Sequence, residues 1–132
     1  MKTIPPEMRF LVIGAGAIGT YIGGSLALAG QEVVFLERPQ NAADIKTRGL
    51  ILALNDGEHP ILNPKLAAEW EGILALGPFD VAVFALKSYH VPTFLQSLPH
   101  DLSTLPPFLC LCNGVENEAA LANVLGEENV IA

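Results

Sequence analysis

Short apolar runs alternate with helix-like stretches along most of this chain. The runs are rich in Val, Ile, Leu and Phe and are bounded by glycine, proline or polar residues, which is typical of strands buried on both faces of a parallel sheet. They lie at residues 9–14, 32–37, 80–86, 108–112 and 129–132. Between them, helical patterns run from the glycines at 14–19 to about residue 29 and over 41–48, 91–98 and 116–125.

The first helix carries a stripe of apolar residues and ends at a glycine. Ile18, Ile22, Leu26 and Ala29 fall on one side of a helix, which predicts that this side faces the core. Gly30 follows at the position where glycine commonly ends a helix.

A β-hairpin is predicted in the middle of the chain. Residues 49–54 form an apolar run, Asp56 and Gly57 form a turn, and residues 60–62 bring the chain back. Residues 63–79 fit no single pattern. Strands that alternate with helices indicate βαβ units, so we expect one α/β domain with a doubly wound, mostly parallel sheet and helices on both faces.

Composition narrows the classes of function. Half of the residues are hydrophobic and 16% are charged, which suits a folded domain with a core. The net charge is −7 and the basic residues are scattered, so we do not expect a nucleic-acid partner. Two cysteines do not make a disulfide framework, which favours a reducing, cytoplasmic compartment.

The uncharged stretch at residues 10–30 raises the alternative of a membrane span or a secretion signal. Lys2 and Arg9 precede it, and Ala27-Leu28-Ala29 resembles a cleavage site. Its six glycines and its division into a strand and a helix argue against this alternative, so we expect no membrane association.

A glycine-rich turn follows the first predicted strand. Its sequence, GAGAIG at residues 14–19, has the spacing G-x-G-x-x-G between a strand and a helix. Gly14 permits the tight turn, Gly16 lets a pyrophosphate approach, and Gly19 lets the helix lie close to the sheet. The phosphates would bind the free N–H groups at the start of the helix. We therefore predict a dinucleotide-binding turn.

The end of the second strand gives a mixed indication of the preferred dinucleotide. Glu37 lies near the spacing at which an acidic residue binds the free 2′-hydroxyl of the adenosine ribose, and it would repel a 2′-phosphate. Arg38 would pair with that phosphate. The two residues leave both alternatives open.

Three segments resemble one known family. They are residues 10–19 (FLVIGAGAIG), 85–89 (ALKSY) and 112–117 (CNGVEN). In order and spacing they resemble the ketopantoate reductases (2-dehydropantoate 2-reductases) of pantothenate biosynthesis. The resemblance implies that residues 1–132 are a Rossmann-like NADP(H)-binding domain, with NAD(H) as the alternative cofactor.

The resemblance also implies a set of site residues. Those implied to bind the cofactor are Gly14, Ala15, Gly16, Ala17, Ile18, Gly19, Arg38, Lys87 and Asn113. Lys87 and Asn113 are implied to contact the 2-keto acid substrate as well, and both follow the carboxyl ends of predicted strands. From the residues alone, Lys87 is more often a solvated lysine at a strand end and Asn113 more often a turn former.

In the resembled family a helical domain follows the dinucleotide-binding half and supplies the catalytic lysine. We therefore expect this chain to be part of a longer two-domain enzyme, to hold no catalytic residue itself and to be inactive alone. We also expect that the face meant for the second domain promotes self-association. A stand-alone NAD(P)-binding sensor and another Rossmann hydroxy-acid dehydrogenase are the alternative functions.

The two cysteines lie close together, at positions 110 and 112. Side chains alternate along a strand, so both point to the same side, where a disulfide between them is poorly placed. Zinc would need two more ligands, and His59, His90 and His100 lie in separate segments. We expect small core residues and no metal site.

Overall fold

The computed structural model of the chain describes residues 8–111 and 115–131. The strands of this part are β1 (Arg9–Ile13), β2 (Glu32–Leu36), β3 (Leu50–Leu54), β4 (Gly57–Ile61), β5 (Lys65–Ala67), β6 (Val81–Phe84), β7 (Phe108–Cys110) and β8 (Val130–Ile131). One sheet has the strand order β5-β2-β1-β6-β7-β8, and all its neighbours run parallel. The chain reverses its direction of travel across the sheet between β1 and β6.

The helices are α1 (Ala17–Leu28), α2 (Pro39–Arg48), α3 (Trp70–Leu76), α4 (Val91–Ser97) and α5 (Val115–Leu125). Short 3₁₀ turns lie at Ser88–His90, Leu102–Thr104 and Glu127–Asn129. β3 and β4 pair antiparallel outside the main sheet, which confirms the predicted hairpin.

Each face of the main sheet has its own core. Leu11 and Ile13 of β1 belong to the cluster covered by α3, α4 and α5, whereas Val12 belongs to the cluster that includes residues of α1, α2 and the hairpin. Successive side chains of a strand point to opposite faces, so this division shows that β1 is buried on both sides. The predicted doubly wound fold with helices on both faces is therefore confirmed.

The buried face of α1 combines three glycines with the middle of the predicted apolar stripe, since Ile22 and Leu26 are partly buried and pack against the cluster around Val12. Gly19, Gly23 and Gly24 are buried, and a Cβ at position 23 would lie 2.7 Å from the ring of Phe35. Ile18 and Ala29, at the two ends of the predicted stripe, are exposed. The prediction was wrong for these two residues because Ile18 faces the cleft at the start of the helix and Ala29 follows its last residue.

Several boundaries differ from the prediction. The strands predicted at 9–14, 32–37 and 80–86 end earlier, because the chain leaves the sheet and turns toward the next helix. The patternless segment at 63–79 contains β5 and α3. Residue 129 lies in a 3₁₀ turn before β8.

The uncharged stretch at 10–30 folds as β1, the glycine turn and α1. Within residues 8–111 and 115–131, no helix is long and apolar enough to cross a membrane.

Candidate dinucleotide site

The glycine turn lies at the carboxyl edge of the sheet and is held by its neighbours. Gly14 has a φ of +96°, a conformation that favours glycine, and its N–H donates to the Leu36 carbonyl at 3.0 Å. A Cβ at position 14 would also lie 2.8 Å from Leu86 Cδ2. The Thr20 hydroxyl donates to the Ala15 carbonyl at 3.0 Å, which ties the turn to α1.

The start of α1 has the features of an anion site. Gly16 is the residue before the helix, and among residues 8–111 and 115–131 no side chain caps this end or adds an acidic group to its first turn. The first N–H groups of a helix have no partner within it and carry partial positive charge. Gly16 is exposed, and a Cβ there would meet no atom of the described part of the chain within 4 Å. The turn is therefore open on the side from which a pyrophosphate would approach.

Glu37 follows β2 and points into the turn. It is only 8% exposed, and its Oε2 accepts a hydrogen bond from the Ala15 N–H at 2.8 Å. Its Oε1 accepts from the Arg38 N–H at 2.9 Å and from Asn41 Nδ2 at 3.2 Å. The carboxylate thus joins the ends of β1 and β2 to the first turn of α2.

One cleft of about 470 Å³ brings most of the predicted cofactor residues together. Arg38 and Lys87 are both exposed at its wall. The predicted residues that line it are Gly14, Gly16, Ala17, Ile18, Arg38 and Lys87. The other two that the structure describes lie close by: Ala15 lines an adjoining cleft, and Gly19 is buried beneath the turn. Asn113 lies outside the described residues, and the roles of all these residues stay predictions.

A second, mainly apolar cleft of about 350 Å³ adjoins the first. Trp70 and Phe94, whose ring centroids are 6.0 Å apart, form part of its wall. Glu37, Arg38 and His90 line both clefts. The sequence did not point to this cleft because Trp70 begins α3, in the segment without a pattern. Its position three residues after β5 was the available signal, since side chains after parallel strands gather at the carboxyl edge.

No group of three or more His, Cys, Asp or Glu residues in the described part of the chain is placed to hold a metal ion. Cys110 is partly buried and packs against the cluster under α4 and α5, as expected for a small core residue. Cys112 lies outside the described residues.

The model of the family described as ketopantoate reductase PanE/ApbA matches residues 10–132. The chain belongs to this family. It is 34% identical over 127 residues to the uncharacterized oxidoreductase YkpB of Bacillus subtilis (strain 168), covering 94% of this chain and 39% of that protein. The chain therefore spans well under half the length of this relative.

Solved structures share the fold. The crystal structure of 2-dehydropantoate 2-reductase from Geobacter metallireducens GS-15 is 30% identical with a TM-score of 0.74, covering 93% of this chain and 40% of that chain. D-mandelate dehydrogenase, solved as a ternary structure with NADH and anilino(oxo)acetate, has a TM-score of 0.74 at 23% identity and covers 93% of this chain and 39% of that one. The second likeness shows the fold alone.

The residues of the two clefts fit a dinucleotide. The open side of Gly16 and the start of α1 suit a pyrophosphate, and the apolar cleft beside Trp70 and Phe94 suits a flat ring system. Arg38 lies where the two clefts meet. The arrangement can therefore hold a negatively charged, two-part ligand across the carboxyl edge of the sheet.

Proposed function

We propose that this chain is the dinucleotide-binding part of an oxidoreductase that reduces a 2-keto acid, 2-dehydropantoate, to the 2-hydroxy acid pantoate with NADP(H). The observation that carries the proposal is the cleft in which the glycine turn, Arg38 and Lys87 meet. It opens beside the point where the strand order reverses between β1 and β6, which is where open α/β sheets bind ligands.

The roles of the residues follow from their charges and positions. The N–H groups at the start of α1 would bind the pyrophosphate, with Gly16 leaving room for it. Lys87, exposed on the same cleft, would bind the ribose next to the nicotinamide or the carboxylate of the keto acid. The bound cofactor supplies the hydride.

The choice of substrate rests on the family. Relatives and solved structures that match the chain are named 2-dehydropantoate 2-reductases, which supports this reaction and its place in pantothenate and coenzyme A biosynthesis. These names also favour an enzyme over a stand-alone sensor. The chain spans 39% of the Bacillus subtilis relative, so the reaction is proposed for the whole protein and not for these residues alone. As part of the same proposal we place the protein in the cytoplasm.

Arg38 is the reason for proposing NADP(H). Its guanidinium is exposed at the junction of the two clefts and can form charge-assisted hydrogen bonds with a 2′-phosphate. The alternative cofactor, NAD(H), rests on Glu37, whose carboxylate lies one residue away. The two cofactors differ only in the 2′-phosphate, so a direct comparison of their affinities decides between them.

Calorimetric titration of the 132-residue chain with NADPH and NADH tests the proposal. We expect NADPH to bind more tightly than NADH. Arg38→Ala should reduce the ratio of the two affinities roughly tenfold, which corresponds to about 1.4 kcal/mol. Lys46→Ala, which removes an exposed cation from the same helix region, should change neither affinity. Tighter binding of NADH would reverse the cofactor assignment, and no binding of either would contradict the proposed function.

A further inference from the structure

Glu37 is a buried carboxylate that the chain itself surrounds with hydrogen-bond donors. Two are backbone N–H groups, those of Ala15 and Arg38, and the third is the side-chain amide of Asn41. A buried carboxylate without such partners is strongly unfavourable, because burial removes the water that solvates its charge. The chain itself therefore supplies the hydrogen-bond partners that the buried carboxylate of Glu37 needs, without a ligand.

The location of Glu37 adds to this stabilisation. Arg38 is the residue before α2, so the carboxylate lies at the amino end of that helix, where the partial positive charge of the helix favours an anion. Oε1 already accepts two hydrogen bonds, and Oε2 accepts one. A carboxylate oxygen has about two acceptor sites, so about one site, on Oε2, is left for the two hydroxyl groups of a ribose.

We propose that Glu37 is a positioning residue that ties the glycine turn to the first turn of α2, and that it is not the ribose ligand. Discrimination between a 2′-phosphate and a 2′-hydroxyl then rests on Arg38. This inference deepens the proposed function and rests on it, since it concerns how the same site holds its dinucleotide.

The hydrogen bonds of Glu37, which we call the tie, act on both the glycine turn and Arg38. The peptide groups of Ala15 are held on two sides, the N–H by Glu37 and the carbonyl by Thr20, which fixes the direction of the turn before Gly16. The N–H of Arg38 is held by the same carboxylate, which fixes the backbone from which its guanidinium projects. Loss of the tie should therefore weaken both dinucleotides, because each of them needs the turn.

Glu37→Gln is the informative substitution, because it keeps the shape and removes the charge. In either orientation the amide places its NH₂ against a donor, either the Ala15 N–H or the Arg38 N–H and Asn41. We expect NADPH and NADH each to bind roughly tenfold more weakly, with the ratio of their affinities unchanged. Glu71→Gln makes the same chemical change at an exposed carboxylate of α3 and should alter neither affinity.

A ribose ligand would behave differently under the same measurement. If Glu37 bound the 2′-hydroxyl, Glu37→Gln would weaken NADH alone, because NADPH has no free 2′-hydroxyl whose hydrogen bond could be lost. That result would overturn the inference. Thr20→Val, which removes the hydroxyl on the other side of the Ala15 peptide, serves as a second variant. Weaker binding of both cofactors supports the tie, and weaker binding of one alone contradicts it.

An NMR measurement separates the tie from a general loss of stability. In ¹H–¹⁵N spectra without cofactor, Glu37→Gln should move the resonances of the Ala15 N–H and the Asn41 side-chain amide and leave those of Leu11 and Phe108 in place. An unmoved Ala15 resonance would overturn the inference even if the affinities fall. If the unsubstituted chain binds neither dinucleotide, the proposed function fails, while the spectra still report whether the tie exists.

Discussion

Gly16 and Gly19 belong to one turn motif, but their surroundings differ completely. A Cβ at position 16 would meet no atom of the residues that the structure describes within 4 Å, and the φ of −78° at Gly16 suits any residue. A Cβ at position 19 would lie 1.7 Å from the Gly14 carbonyl oxygen. One glycine keeps space free for a ligand, and the other allows α1 to touch the turn.

This difference gives a prediction at the residue scale. Gly16→Val should leave the melting temperature nearly unchanged and abolish calorimetrically detectable binding of NADPH and NADH, because the side chain would fill the space of the pyrophosphate. Gly19→Ala should unfold the chain or lower its stability by more than about 3 kcal/mol, beyond the usual range for overpacking. Normal cofactor binding by a folded Gly16→Val variant would show that the turn is not the pyrophosphate site.

Strand-turn-helix order in the sequence predicted that the glycine turn and Arg38 reach the carboxyl edge, whereas the resemblance to the family implied Lys87 as a site residue. The sequence did not predict the contacts of Glu37. The spacing suggested a ribose ligand, whereas the Ala15 N–H that donates to the Glu37 carboxylate is 22 residues away in the chain. Such a contact depends on how two loops meet, and no local pattern in the sequence records it.

Strand β3 illustrates the limit of pattern at the scale of an element. Its sequence, LILAL, is apolar at every position, so alternation cannot show which side faces the core. In the structure Leu50 and Leu52 are buried, while Ile51 is 59% exposed. Leu52 lies against α1, near Gly24. The same closeness of α1 places glycines on its buried face, beside Ile22 and Leu26 of the predicted stripe.

The two neighbouring residues of β3 form a matched pair for a stability measurement. Leu52→Ala should reduce the free energy of unfolding by about 2–5 kcal/mol, because it leaves a cavity between the hairpin and α1. Ile51→Ala removes a largely exposed side chain and should change the free energy of unfolding by less than about 0.5 kcal/mol. Urea denaturation followed by circular dichroism measures both, and equal losses would contradict the register of the hairpin.

At the scale of the whole molecule, the alternation of strands and helices predicted the parallel sheet but not the order of its strands. In the order β5-β2-β1-β6-β7-β8, strands β1 and β6 are neighbours. The loop that follows β1 and the loop that follows β6 therefore lie side by side and form the cleft. Nothing in the apolar runs distinguishes this order from another, because every run is equally apolar. The short strand β5 and helix α3 were missed for a related reason, since a strand of three residues is too short to show a period.

The surface carboxylates of the molecule give its stability a defined dependence on pH. Hydrogen bonds hold the pKa values of four of them below their ordinary values. The pairs are Glu32 with Lys65, Asp44 with Arg48, Asp56 with His59, and Asp101 with Ser103. A carboxyl whose pKa is lower in the folded chain than in the unfolded chain stabilises the fold above the unfolded pKa. That contribution is lost as the pH falls through the folded pKa.

We therefore expect the urea midpoint to be nearly constant from about pH 6 to pH 5 and to fall below about pH 4, where unfolded carboxylates take up protons. The fluorescence of Trp70, the single tryptophan and a buried one, follows the unfolding.

Asp101→Asn removes one titrating group, whose carboxylate accepts from the Ser103 N–H at 3.1 Å. The fall of the urea midpoint between pH 6 and pH 3 should therefore be smaller in this variant. Glu58→Gln changes an exposed carboxyl of β4 and is the control. The effect of Asp101→Asn should be small, because exposed groups are well screened by water and salt. A midpoint that rises on acidification, or a larger loss in Asp101→Asn than in the unsubstituted chain, would contradict the assignment of these hydrogen bonds to the folded state.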